Sequence, residues 1–169
     1  MQKKIKKNNE KGFSFLEVML VVFILGTALT VFTQVIASSF SHSAASRDTI
    51  IAAGLAQEGV ELVKNVRDNN WAQKEPAFSH LDANCPIEYN FNPHNPCSGG
   101  SDEKLYLRNG FYEHNPSGES TKFSRKIAIS TSGETKIITS YVIWGITDFP
   151  DTCDISNKCV FAEITLTKW

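Results

Sequence analysis

The sequence predicts an α+β chain in which one long N-terminal helix, about residues 13–68, packs by its C-terminal half on an antiparallel β-sheet. Three patterns carry that expectation. From Val18 to Phe32 nearly every residue is Val, Leu, Ile, Phe, Met or Ala, mixed apolar residues continue to Phe40, and no charged residue occurs between Glu17 and Arg47. Beyond it, Ile51, Leu55, Leu62, Val63 and Val66 recur at helical steps and draw one apolar stripe. Towards the C-terminus, Val160, Ala162, Ile164 and Leu166 alternate with Glu163, Thr165 and Thr167, the period-two signature of a strand with one buried face.

The N-terminus comes first. Residues 1–12 hold five Lys against one Glu, a local charge of +4. Lysines ahead of an apolar run of about 20 residues predict a single membrane span with the N-terminus in the cytoplasm. The C-terminal body is then exported. A secretory signal peptide, cut among the small residues of Ala37 to Ala45, is the competing reading. No proline precedes Pro76, so nothing stops the helix where the apolar run ends, and it reaches roughly 80 Å at 1.5 Å per residue. Gln57, Glu58, Glu61, Lys64 and Arg67 fall on its outer face. Lys64 and Asp68 stand four apart and can pair weakly. Asn69 and Asn70 are candidate terminators.

Residues 71–103 are dense in Asn, Pro, Gly and Asp and read as loop. In "KLYLRNGFYEH" the pair Asn109-Gly110 sits between apolar runs, which predicts a tight hairpin. Phe123, Ile127 and Ile129 share one face of a strand, and Ile138, Val142, Trp144 and Ile146 share one face of the next, with "SGE" as the turn between. Three or four antiparallel strands need a cover, and the amphipathic half of the helix is available.

Charge and motifs narrow the function. Of 17 basic and 18 acidic residues, 12 and 17 remain once residues 1–12 are set aside. Such a body is a poor electrostatic fit to nucleic acid. No Gly-x-Ser-x-Gly, HExxH or phosphate-cradling loop occurs, so neither catalysis nor a cofactor is expected. The four cysteines all lie beyond the apolar run, as expected of disulfides in an oxidising compartment. Three connectivities are open, of which the sequential pairs Cys85–Cys97 and Cys153–Cys159 are preferred. Each such short loop typically stabilises by about 2–4 kcal/mol. His80, His94 and the nearby cysteines fit no common zinc-finger spacing, so no metal is expected there.

The lysines, Gly12 and "FSFLEVMLVVFIL" together closely resemble the N-terminus of type IV prepilins and of type II secretion pseudopilins. The resemblance implies cleavage between Gly12 and Phe13 by prepilin peptidase, N-methylation of Phe13, and Glu17 as the assembly glutamate. A carboxylate at the centre of a bilayer costs on the order of 2.5–3.5 kcal/mol, which argues that Glu17 is there for a use. In the family that glutamate meets the N-terminal amine of a neighbouring subunit, and the pair is tolerated where a lone charge is not. Gly26 permits close helix approach, or is equally a weak point at which the helix can stretch. Many type IV pilins carry a mid-segment proline; this chain has none, so a straighter helix is expected. "AGLAQEGVELVKNVRDNNW", "FSRKIAIS", "YVIWGI" and the terminal "TLTKW" are similar to minor pilins.

The fold is therefore expected to be pilin-like. Residues 1–12 form a cytoplasmic leader that is removed, 13–40 the transmembrane and filament-core half of the helix, 41–70 its amphipathic half, and 71–169 the loop and sheet region of an extracytoplasmic head. The implied function is a structural subunit, a minor pilin, of a type IV pilus or related filament, extracellular or periplasmic after assembly. Its implied partners are other pilins, the prepilin peptidase/methyltransferase, an inner-membrane assembly platform and the membrane itself. The alternatives are a pseudopilin of a type II secretion or competence system, and a membrane-anchored extracellular binding domain that does not polymerise. Asp148, Asp151 and Asp154 resemble the calcium loops of some major pseudopilins, but they lack an EF-hand pattern and read as a solvated turn.

Overall fold

A computed structural model describes residues 14–79, 81, 87 and 103–167. One helix, α1 (Phe15–Ala72), is followed by five strands, β1 (Lys104–Arg108), β2 (Phe111–Glu113), β3 (Glu119–Ser132), β4 (Thr135–Trp144) and β5 (Cys159–Thr167). The chain is α+β and pilin-like, as expected. It divides into two compact units, Met1–Ala44 and Ala45–Trp169. In the first, every described residue is exposed. In the second, helix and sheet enclose a core.

The sheet is antiparallel throughout, in the order β2-β1-β3-β4-β5. It has five strands rather than three or four, because both arms of the Asn109-Gly110 hairpin join it. Asn109 (φ 52°) and Gly110 (φ 86°) are both left-handed, as a two-residue type I′ turn requires. Between β3 and β4 only Gly133 (φ 63°) is left-handed, and it holds the first central position, where a type II′ turn takes glycine. Ile146, expected on the strand, lies beyond the end of β4 and is half-buried.

The core has two parts. Ala52, Leu55 and Ala56 of α1 pack with Leu105, Phe123, Val142 and Trp144. Nearly two turns further on, Leu62, Val63 and Val66 pack with Ile127, Ile138 and Leu166, joined by Leu81 and Ile87 from the long connection. Each fully buried aliphatic side chain stabilises by about 1.5–3 kcal/mol. Gly59 lies where helix and sheet come closest: a methyl group there would run into the buried Ser140 hydroxyl and approach Cδ of Arg125 at 3.2 Å.

Arg125 is a charge inside this core, with its side chain fully buried. One guanidinium nitrogen donates to the Ile87 carbonyl at 3.0 Å, and another reaches the Leu55 carbonyl at 3.5 Å and Glu58 at 3.4 Å. A second tie joins Lys122 of β3 to Asp48 of α1 at 2.5 Å.

Three expectations for the helix are corrected. Lys64 pairs with Glu61 at 3.4 Å, not with Asp68, whose carboxylate is taken by Arg67 at 2.6 Å. Arg67 is buried rather than on the outer face, its charge answered by that neighbour. Asn69 and Asn70 do not end the helix; it runs on to Ala72. The Glu75 amide donates to the Asn70 carbonyl at 2.9 Å and the Lys74 amide to the Trp71 carbonyl at 3.0 Å, with Lys74 left-handed at φ 61°. This is a Schellman ending. The buried Asn70 amide donates to the Ser79 carbonyl at 2.9 Å and to that of Ala77 at 3.3 Å, which folds the chain back after the helix.

Two glycines of α1 separate packing from propensity. Gly54 has open space around it, so Gly54→Ala should stabilise by about 0.5–1 kcal/mol through helix propensity. Gly59→Ala gains the same propensity but overpacks the contact with Ser140, at a cost of about 1–3 kcal/mol. Urea unfolding of the detergent-solubilised chain should show the two variants shifting in opposite directions.

Candidate functional site

The start of α1 is built from Ser14, Glu17 and the apolar residues that follow. The Ser14 carbonyl accepts from the amides of Glu17 at 2.9 Å and Val18 at 3.2 Å, so the helix begins immediately after it. Glu17 is the acidic residue of the first turn. A carboxylate there faces the positive end of the helix dipole, a favourable placement of about 0.3–1 kcal/mol. Its side chain is exposed, and among the described residues it has no ion-pair or hydrogen-bond partner. Gly12 and Phe13 lie outside the described residues, so the geometry of the cleavage junction does too.

From Phe15 onward the helix is long and apolar enough to cross a membrane, and the apolar window is wholly unburied. Four of its hydroxyl groups bond back onto the helix. Thr27 donates to the Phe23 and Ile24 carbonyls at 3.1 and 3.0 Å, Thr30 to Thr27 and Thr33 to Thr30 at 2.8 Å each, and Ser39 to Val35 at 2.9 Å. Back-bonding of this kind removes the polar character that hydrocarbon penalises. This ladder went unnoticed in the sequence, where the three-residue spacing of Thr27, Thr30 and Thr33 was its available signal. Around Gly26, apart from its chain neighbours and the helix's own backbone, no described atom stands within 4 Å of where a side chain would begin.

A second candidate lies beyond β4. Cys153 and Cys159 are joined, with Cα atoms 5.0 Å apart; Cys85 and Cys97 lie outside the described residues. Inside this loop Asp154 accepts from the Ser156 hydroxyl at 2.6 Å and the Asn157 amide at 2.9 Å. Its carboxyl is thereby held below the ordinary value of 3.8, chiefly by the Ser156 hydroxyl and next by the Asn157 amide. Asp148 accepts from Thr147 at 3.0 Å. Among the described residues no three His, Cys, Asp or Glu side chains converge as a metal site, Asp148, Asp151 and Asp154 included. The structure turns Asp154 towards its own loop.

Two measurements follow for this loop. Replacing Cys153 and Cys159 together by Ser should lower stability by about 2 kcal/mol, as the chain-entropy model gives for so short a loop. Adding reductant to that double variant should then leave the unfolding of this region unchanged. Asp154 titrates lower in the folded chain, so its support for the loop is fully present above the unfolded value. It is lost as pH falls through the lowered folded value. An NMR titration should therefore show the Asn157 amide shifting with a midpoint below pH 3.8, the ordinary Asp value, and Ser156→Ala should move that midpoint upward.

Neither the curated proteins nor the solved structures compared with this chain include a match. The prokaryotic N-terminal methylation motif does match, over residues 7–33. That interval contains Gly12, Phe13, Glu17 and the whole apolar run from Val18 to Phe32. The α+β pilin-like chain thus carries, at its N-terminus, the type IV prepilin-like signal.

Proposed function

We propose that this chain is a structural subunit, a minor pilin, of a type IV pilus or related filament. The methylation motif supports a type IV pilin-like or pseudopilin protein, a structural subunit rather than an enzyme. The observation that carries the proposal is the position of Glu17: a charge in the first turn of a helix whose next 29 positions, up to Arg47, hold no other. Prepilin peptidase cuts between Gly12 and Phe13 on the cytoplasmic side and releases residues 1–12, and Phe13 becomes the N-methylated terminus. The new amine belongs to the residue four positions before Glu17. In an apolar bundle a carboxylate and an amine from neighbouring subunits attract strongly, because the local dielectric is low, and neither is left buried alone.

In this reading residues 13–40 anchor the subunit in the inner membrane and later pack among the helices of other pilins. Residues 41–70 hold the head, and 71–169 present it outside the cytoplasm. The assembly platform moves the subunit from the first setting to the second. The lack of a proline before Pro76, together with the unbroken α1, favours a subunit other than a major pilin.

Glu17→Val tests the proposal. The variant should be cleaved normally and remain in the membrane, yet be absent from sheared filaments; undiminished incorporation would overturn the role of Glu17. Mass spectrometry of the mature chain should find N-methylated Phe13 at its start. A terminus at Met1 or near Ala45 would overturn the processing itself. A Glu17→Val variant that is exported and active without any filament would point instead to an anchored binding domain.

A further inference from the structure

The sheet ends differently on its two sides. On one, the outermost strand β2 has three residues, and β1 behind it shifts register between Lys104 and Tyr106. Short strands and bulges blunt an edge against further pairing. On the other side β5 has nine residues and pairs with β4 at nine successive positions without a shift. It contains no proline or lysine, and its one charge is Glu163, at its centre. Among the described residues no strand lies beyond it. A long, regular edge of this kind is a template for another extended chain.

A groove of about 540 Å³ lies along this edge. Ile155 and Ser156 of the disulfide loop bound it on one side, Val160 and Phe161 on the other, and no residue of β4 lines it. Val160 and Phe161 point to opposite faces of the sheet, so a cleft that touches both and misses β4 opens at the free side of β5. Its rim is apolar and accessible: Ile155 is 64% and Phe161 54% exposed.

Glu163 states which chain fits. Its carboxylate is steadied by the Thr139 hydroxyl at 3.1 Å and has no ion-pair partner among the described residues. A second copy adding its own β5 about the strand centre would set two Glu163 carboxylates opposite each other, an unfavourable cross-strand pair. A basic residue in that place is favourable. Phe161 and Glu163 lie on one face, two residues apart, so the incoming strand needs the same spacing between an apolar and a basic side chain.

We propose that the free edge of β5 receives an extended segment of a different protein chain, with Lys or Arg opposite Glu163 and an apolar residue seated between Ile155 and Phe161. The inference does not rest on the filament reading. It is tested on the full, disulfide-intact chain in detergent, with a labelled synthetic nonapeptide that has Lys at its centre, Val two residues to either side and Thr elsewhere. Fluorescence anisotropy should show this peptide binding about fivefold more tightly than its Glu-centred counterpart. Glu163→Lys should reverse the order, and hydrogen exchange should locate the protection at residues 159–167. Absence of binding, equal binding of the two peptides, or protection elsewhere would overturn the proposal. Protection of β5 that rises with protein concentration and needs no peptide would assign the edge to a second copy, and would overturn it equally.

Discussion

The guanidinium of Arg125 sits between helix and sheet, where a charge deprived of partners would cost several kcal/mol. Its partners therefore have to arrive together. The side chain comes from β3, one carbonyl and one carboxylate from α1 at Leu55 and Glu58, and another carbonyl from the long connection at Ile87. Three separate parts of the chain are bound through one planar group. Gly59 and Ser140 make this possible, because a side chain at Gly59 would push the helix away from the space that Arg125 occupies. The hydrophobic contacts on either side supply most of the stabilisation. They specify apolar burial, whereas Arg125 specifies a register, since moving the helix by one residue would carry the Leu55 carbonyl and Glu58 away from it.

The two halves of α1 obey different rules. Residues 14–44 expose apolar side chains on every face, a surface suited to lipid or to other apolar helices and not to water. From Ala52 onward one stripe is buried and the opposite side stays polar. A single carboxylate, Glu17, interrupts the first half, and its position in the first turn reduces its cost through the helix dipole. Away from its two ends the peptide groups of the helix pair within it, so the change of environment calls for no break in the helix.

Much of this fold was legible in the sequence. The apolar run, the stripe through Leu55, Leu62, Val63 and Val66, and the alternation in β5 are periodic, and periodicity survives without knowledge of neighbours. The hairpin turn was legible because Asn109-Gly110 suits left-handed backbone. What escaped depends on partners far away in the chain. Arg125 sits where a strand position reads as either face until its partners are known. Arg67 looks like an outer-face cation until the rest of the chain is folded around it and buries it. Lys74 takes the left-handed position that usually belongs to glycine, so the end of the helix carried no signal, and Leu81 and Ile87 lie in a stretch with no periodicity. For the candidate site, Gly12, Phe13 and Glu17 were expected from the resemblance of the N-terminus to prepilins, and the methylation motif spans all three. Nothing local distinguished the free edge of β5 from a covered strand, because a strand's place in the sheet is not written in its own residues.

The back-bonded hydroxyls of Thr27, Thr30, Thr33 and Ser39 have a consequence for what can surround the first half of α1. With these hydroxyl donors spent inside the helix, a neighbour along the stretch beyond Glu17 is recognised chiefly by shape and dispersion. Lipid tails offer nearly the same dispersion as the flank of another helix. Exchange between the two settings is then close to thermoneutral, and small differences in packing decide its direction. A surface of that kind can be lifted out, used and returned without stripping these four hydroxyls of their partners on the way.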